Sequence, residues 1–151
     1  SGNFTISKNE IIKNKVYKKL FNPLTNKKEM MEIILDGNRI AGFPDFLSNL
    51  KLNYSNDILS ATLLMQYSGD KYTDNFGDLN IKPYKDNKVD SYVVFNFDLS
   101  YKLGNILGIK DIIAKLQINN IFNKLYATHG EGNEFFPAAE RNAFFSINLE
   151  L

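Results

Sequence analysis

The stretch from Asn142 to Leu151, NAFFSINLEL, alternates without a break. In an extended strand Phe145, Ile147, Leu149 and Leu151 fall on one side, and Phe144, Ser146, Asn148 and Glu150 on the other. Chain ends usually fray into water. An apolar stripe that runs to the last residue needs an apolar environment or a partner.

Four runs upstream share the design. DFLSNLKLNY places Phe46, Leu50, Leu52 and Tyr54 on one face, against Asn49, Lys51 and Asn53. LSATLLMQYS places Leu59, Ala61, Leu63, Met65 and Tyr67 together, with Leu64 an exception among the polar backs. VVFNFDLSYKL aligns Val93, Phe95, Phe97, Leu99, Tyr101 and Leu103, and IIAKLQINN aligns Ile112, Ala114, Leu116 and Ile118. The period is two, not 3.6, which predicts strands. Several runs reach the roughly 9–11 residues that cross a bilayer at a tilt.

The connections alternate in length. SND at 55–57 and GNILGIKD at 104–111 are short; 69–90 and 121–141 are long and polar. In an up-and-down sheet, all short turns then lie at one end and all long loops at the other, as in outer-membrane barrels. Tyr54 and Tyr101 fall at the short-turn end and Tyr67 at the long-loop end, which suits aromatic girdles. Alternation also suits a soluble antiparallel β-sandwich whose apolar faces meet each other. That reading predicts a stretch that folds alone in water.

Residues 1–36 are less regular. FTISKNEIIKNKVYKKLF reads as one poorly defined extended strand, and NPLTNKKEMMEIILDGNRIAGFP as a further long loop. Turn signals stand at Asn22-Pro23 and Asp36-Gly37. KKEMMEIIL fits a short helix or a strand.

Composition narrows the function. Lys+Arg 18 against Asp+Glu 17 provides no net field to hold nucleic acid. With no cysteine, disulfide scaffolds and thiolate metal sites are excluded. No apolar run approaches a membrane helix, so any crossing must use strands. There is one histidine, His129, no G-x-S-x-G elbow, and a GEG at 130–132 without the strand and helix that phosphate loops need. We therefore expect no enzyme, no catalytic residue, no cofactor and no metal site.

Four segments taken together, GNRIAGFPDFLSNLKLNY, QYSGDKYTDN, LQINNIFNKLYA and FFPAAERNAFFSINLEL, resemble in order and spacing the C-terminal end of a TonB-dependent outer-membrane receptor. The resemblance covers roughly residues 37–151. It implies an all-β fold of antiparallel up-and-down transmembrane strands, five or six of a larger barrel that in this family has 22. It implies transport of a scarce nutrient (an iron chelate, a vitamin or an oligosaccharide) across the outer membrane of a Gram-negative bacterium. The implied partners are outer-membrane lipid, the rest of the barrel and its plug, the TonB complex reached through the absent N-terminal part, and the barrel-assembly machinery reading the last strand. That signal usually ends in an aromatic residue, and here Leu151 stands in its place.

Within this frame Phe145, Ile147, Leu149 and Leu151 would face lipid on the closing strand. Asp98, Lys102, Lys115 and Glu150 would line the lumen and meet the plug, or simply form a hydrated wall with ordinary cross-strand pairs. Tyr72, Asp74, His129, Phe135, Phe136 and Arg141 lie in the long loops that meet ligand in the family. Arg141 suits an anionic chelate through a charge-assisted fork, or a salt bridge that fixes its loop. Phe135 and Phe136 suit stacking on a ligand or packing at the rim. The basic run KNKVYKKL suits anionic headgroups or a solvated strand end.

Overall fold

The structure is a computed structural model that describes residues 1–22, 24–77, 87–106 and 109–150, with the backbone alone at 105, 106, 109–111 and 150. Pro23, the loop stretch 78–86, the turn tip 107–108 and Leu151 lie outside the described residues. Every described element is a strand, and no α-helix occurs among the described residues. In chain order they are β1 (Gly2–Ile6), β2 (Lys15–Asn22), β3 (Lys27–Ile34), β4 (Phe46–Ser55), β5 (Leu59–Ser68), β6 (Lys71–Tyr72), β7 (Lys88–Val89), β8 (Tyr92–Ile106), β9 (Ile109–Asn119), β10 (Ala127–Glu131), β11 (Glu134–Pro137) and β12 (Asn142–Glu150).

Six of these make one antiparallel sheet in the order β1-β4-β5-β8-β9-β12. The remaining six pair as three small hairpins, β2-β3, β6-β7 and β10-β11. Each hairpin sits inside one long connection: 7–45, 69–91 and 120–141. All three connections leave the same end of the sheet. The opposite end carries the turn at 56–58, where Asn56 Oδ1 accepts from the amides of Ile58 and Leu59. The β8–β9 turn belongs to that end as well. There the register shifts between Lys102 and Gly104, and Gly104 has φ 77°, a conformation that side chains resist.

Register fixes the faces. Leu52 pairs with Leu63, Leu63 with Phe97, Leu99 with Leu116, and Leu116 with Phe145. Paired residues share a face. The apolar stripes of the strands therefore merge into one continuous sheet face, joined at its edge by Phe4 and Ile6 of β1. No second sheet packs on this face among the described residues. Leu52 is 57% exposed, Phe145 67% and Ile147 56%. From Leu59, which lies opposite Tyr101, to Tyr67 the strand rises about 27 Å. At a tilt of about 40° the band is about 21 Å tall, near the apolar height of outer-membrane barrels.

The buried apolar residues lie elsewhere. Leu20, Ile33 and Leu35 form a cluster on the inner side of the β2-β3 hairpin, with Ile11, Val16 and Phe76 packed against it. Val89 and Val94 are buried near the loop end of the sheet's polar side. The molecule is thus greasy on the face of its large sheet and dry inside its loops.

Residues 1–36 differ from the sequence expectation. The run read as one strand is two: β1 pairs with β4, and β2 turns back onto β3. KKEMMEIIL is a strand, because Lys27–Ile34 pairs along its whole length with Lys15–Asn22. Met and Glu favour helices, but cross-strand pairing overrides that weak preference.

Candidate functional site

The long connections gather into one cap at the end of the sheet. Its first part is the β2-β3 hairpin. On its outward face Tyr17 donates to Glu32 at 2.5 Å and Lys15 binds the same carboxylate at 3.2 Å. The Tyr17 hydroxyl, then Lys15, hold the Glu32 carboxyl below the usual range. Apolar Tyr17, Phe21, Met30 and Ile34 on this face are all more than half exposed.

Arg39 joins the first connection to the second. Its guanidinium reaches Asp70 Oδ2 at 3.2 Å, the Asp70 carbonyl at 2.9 Å and Asp45 Oδ2 at 3.3 Å. It also lies over the Tyr72 ring at 5.3 Å. Its Nε is buried and finds no hydrogen-bond partner among the described residues. Lys88 shares the Asp70 carboxylate at 3.0 Å. Lys88 first, and Arg39 after desolvation is set against it, hold the Asp70 carboxyl below the usual carboxylate range. Nearby, Gly42 donates to the Tyr72 carbonyl, and Asn75 accepts from Ala41 while its own carbonyl accepts from Asn38.

Thr73 joins the second connection to the third. Its hydroxyl donates to the Gly132 carbonyl, and Gly132 N returns a bond to the Thr73 carbonyl at 3.2 Å. The backbone at Gly130 passes so close that an added Cβ would stand 2.5 Å from Thr73 Cγ2 and 2.9 Å from the Glu134 carbonyl. Only glycine fits there.

The third connection is tied to the wall by asparagine. Asn120 is 3% exposed and holds φ 52°. Its amide nitrogen donates to the carbonyls of Lys124 and Ala139, its Oδ1 accepts from Lys124 N, and its own N–H reaches Asn96 Oδ1. Beyond it Tyr126 stacks obliquely on Tyr92, ring centroids 4.3 Å apart. Burial, and secondarily Tyr92, push the Tyr126 phenol up. Tyr92 stands on the polar side of β8, so residues 126–128 fold over that side. They roof a recess of about 310 Å³ lined by Asn49, Gln66, Tyr92, Val94, Tyr126 and Thr128. Phe122 turns the other way and meets Phe95 edge-on at 5.3 Å on the apolar side.

The residues singled out from sequence fall into three places. Tyr72 lies under Arg39, and Asp74 caps Phe76 N at 2.9 Å while accepting from Asn87 at 2.5 Å. His129 stacks on Phe136, 5.9 Å apart and 17° from parallel, beside half-exposed Phe135. The Thr73–Gly132 bonds bring these two groups together in one cap. Arg141 is not with them: it is exposed at the foot of the third connection, its N–H bound to Asn123. On the polar face of the sheet, Asp98 and Lys115 share a shallow recess of about 210 Å³ with Thr62, Ser100, Gln117 and Ser146. Lys102 lies on that face further toward the short turns. Glu150 pairs with Asp111 through backbone, and Phe145, Ile147 and Leu149 lie exposed on the apolar face. Among the described residues no three His, Asp or Glu side chains gather as metal ligands do.

Sequence reading missed Arg39, Thr73, Asn120 and Gly130. A lone arginine after Asp36-Gly37 gives no pattern; its carboxylates become visible only once the loops are folded.

Solved receptors carry the same sheet. The chain matches the siderophore receptor PiuA from Acinetobacter baumannii with a TM-score of 0.64 at 23% identity, over 81% of this chain and 16% of that one. It matches the ferric citrate transporter FecA in its unliganded form with a TM-score of 0.58 at 14% identity, over 77% and 18%. It matches the ferric-catecholate import receptor Fiu from K12 E. coli with a TM-score of 0.55 at 18% identity, over 79% and 17%. At these identities the likeness is one of fold: an antiparallel segment of a receptor barrel. The chain spans less than a fifth of the length of these structures. No protein-family model and no curated protein matches the sequence.

Proposed function

We propose that this chain is a wall segment, with its external loops, of a TonB-dependent receptor in the outer membrane of a Gram-negative bacterium. The receptor imports a scarce nutrient, and among nutrients an iron chelate is favoured because the matching receptors are named for siderophores, ferric citrate and ferric catecholates. One observation carries the reading. A six-stranded sheet has a continuous, exposed apolar face on one side, a polar face on the other, and all its long loops at one end. Water would penalise that face; lipid would not. The open edges of β1 and β12 need pairing inside a bilayer, so the remaining barrel strands are partners.

The work is gated passage, not chemistry. Phe145, Ile147 and Leu149 face lipid on a closing strand that the barrel-assembly machinery reads. Asp98, Lys102 and Lys115 face the lumen and its plug. The cap residues Tyr72, Asp74, His129, Phe135 and Phe136 meet the nutrient from outside, and the plug engages the TonB complex. Nucleic acid has no part in it.

The natural full-length protein tests this. It should require detergent, show sheet structure by circular dichroism, and migrate faster unboiled than boiled on a gel. Its deletion should impair growth on a ferric chelate as sole iron source. A full-length protein that is monomeric and cooperatively folded in plain buffer overturns the reading.

A further inference from the structure

We propose that the described parts of the three long connections form a single cooperative body, and that Arg39 is a positioning residue that keys it. The inference rests on the receptor reading only for its use; the coupling itself is a property of the cap. The first connection meets the second through the Gly42–Tyr72, Ala41–Asn75 and Asn38–Asn75 bonds, through Phe76 on the Leu20 cluster, and through Arg39, whose guanidinium holds two carboxylates and one carbonyl while covering Tyr72. The second reaches the third through the reciprocal Thr73–Gly132 pair, which the missing Cβ of Gly130 permits. Tyr72 and Thr73 are neighbours in the chain, so the two joints share one backbone segment. A guanidinium bound to two carboxylates and stacked on a ring has few ways to shift by degrees. Packed elements of this kind pass between discrete arrangements. Whatever displaces the His129–Phe136 pair in the third connection is therefore felt at Gly42 through the Gly132–Thr73 and Gly42–Tyr72 bonds, and at Ile11 through its bond to Asn38, the neighbour of Arg39. Coupling of this kind is reciprocal.

Hydrogen exchange on the full-length receptor in detergent, read by mass spectrometry, tests it. Arg39→Gln should speed exchange at Gly42 and Thr73, which are bonded to or adjoin the Tyr72 it covers, and also at Gly132, in the third connection, by about tenfold. Arg39→Lys keeps the charge and loses the fork, and should restore part of the protection. Gly130→Ala, made at the other joint, should speed exchange at Gly42 and Ile11 to a similar degree. In all three variants the strands β5, β8 and β9 should exchange as before, and the unboiled band should keep its mobility. If Arg39→Gln frees only residues 7–45 and 70–75, and Gly130→Ala only 127–137, the loops are independent and the proposal fails. If both variants also lose the fast-migrating band, paired measurement at Ser48, Tyr67 and Phe97 decides. Exchange raised equally in wall and cap overturns a cap-specific role.

Discussion

The wall and the cap are built on opposite terms. The wall is held by backbone ladders, and the large side chains of its apolar face are exposed or half-buried. The cap has short two-stranded pieces, and its cohesion comes from one small apolar cluster and from single polar side chains: Arg39, Thr73, Asn87, Asn120. Apolar residues that would be core in a water-soluble sheet stand outside the wall, while the driest cluster, Leu20 with Ile33 and Leu35, lies in a loop. The buried apolar cluster thus lies in a loop, while the apolar face of the large sheet stays uncovered among the described residues.

A charge placed on each face of one strand tests that contrast most severely. Leu116→Arg on β9 puts a cation on the apolar face between Leu99 and Phe145. It should destabilise the full-length protein in lipid vesicles by about 2–4 kcal/mol, as a charge near a bilayer midplane does. Gln117→Arg, one residue on and on the polar face, should change stability by less than about 0.5 kcal/mol. Urea titration of vesicle-inserted protein measures both. Equal effects would mean that the apolar face does not meet lipid.

Asn120→Ala should be the costliest change in the cap. It leaves the Lys124 and Ala139 carbonyls and the Lys124 N–H without their side-chain partner, at about 1–3 kcal/mol for the buried groups, and asks alanine to hold a positive φ. Limited proteolysis should then cut within 120–141 while the wall stays resistant.

Acid gives the smallest and most specific effect. The Asp70 carboxyl is held below its ordinary value, so its ion pairs contribute fully above the usual carboxylate range. That contribution fades as pH falls through the lowered value and Asp70 takes up a proton. Protection at Gly42 and Thr73, corrected for the intrinsic pH dependence of amide exchange, should therefore stay high near pH 5 and fall toward pH 3, with β8 and β9 unaffected. Because Asp70 and Lys88 are partly exposed, 0.5 M salt should shrink the difference. A cap whose exchange ignores both acid and salt would not depend on this cluster.

The five long strands of the wall were legible because alternation is written into each residue pair. The faces predicted for Phe46–Tyr54, Leu59–Tyr67, Val93–Leu103, Ile112–Ile118 and Phe145–Leu149 are those of the structure. β1 was not separable from the lysine-rich run after it: GNFTI is too short to show a period, and only its pairing with β4 ends it at Ile6. The cap was partly legible. The turn between β10 and β11 brings His129 onto Phe136 by hairpin geometry that GEGN hints at. Arg39 and Asp70 stand 31 residues apart, and nothing local to either announces the other.

The β2-β3 hairpin has a consequence for how the sheet assembles. The 7–45 connection must close before β1 can dock on β4, while the β4–β5 and β8–β9 turns close almost at once. Once Lys15 lies against Ile34, the stretch between them no longer counts as slack. About half of the connection then remains to be ordered, and each halving lowers the entropic cost of closure by about 0.6 kcal/mol. Formed early and from neighbouring residues, the hairpin shortens the search by which the sheet's first strand reaches its place.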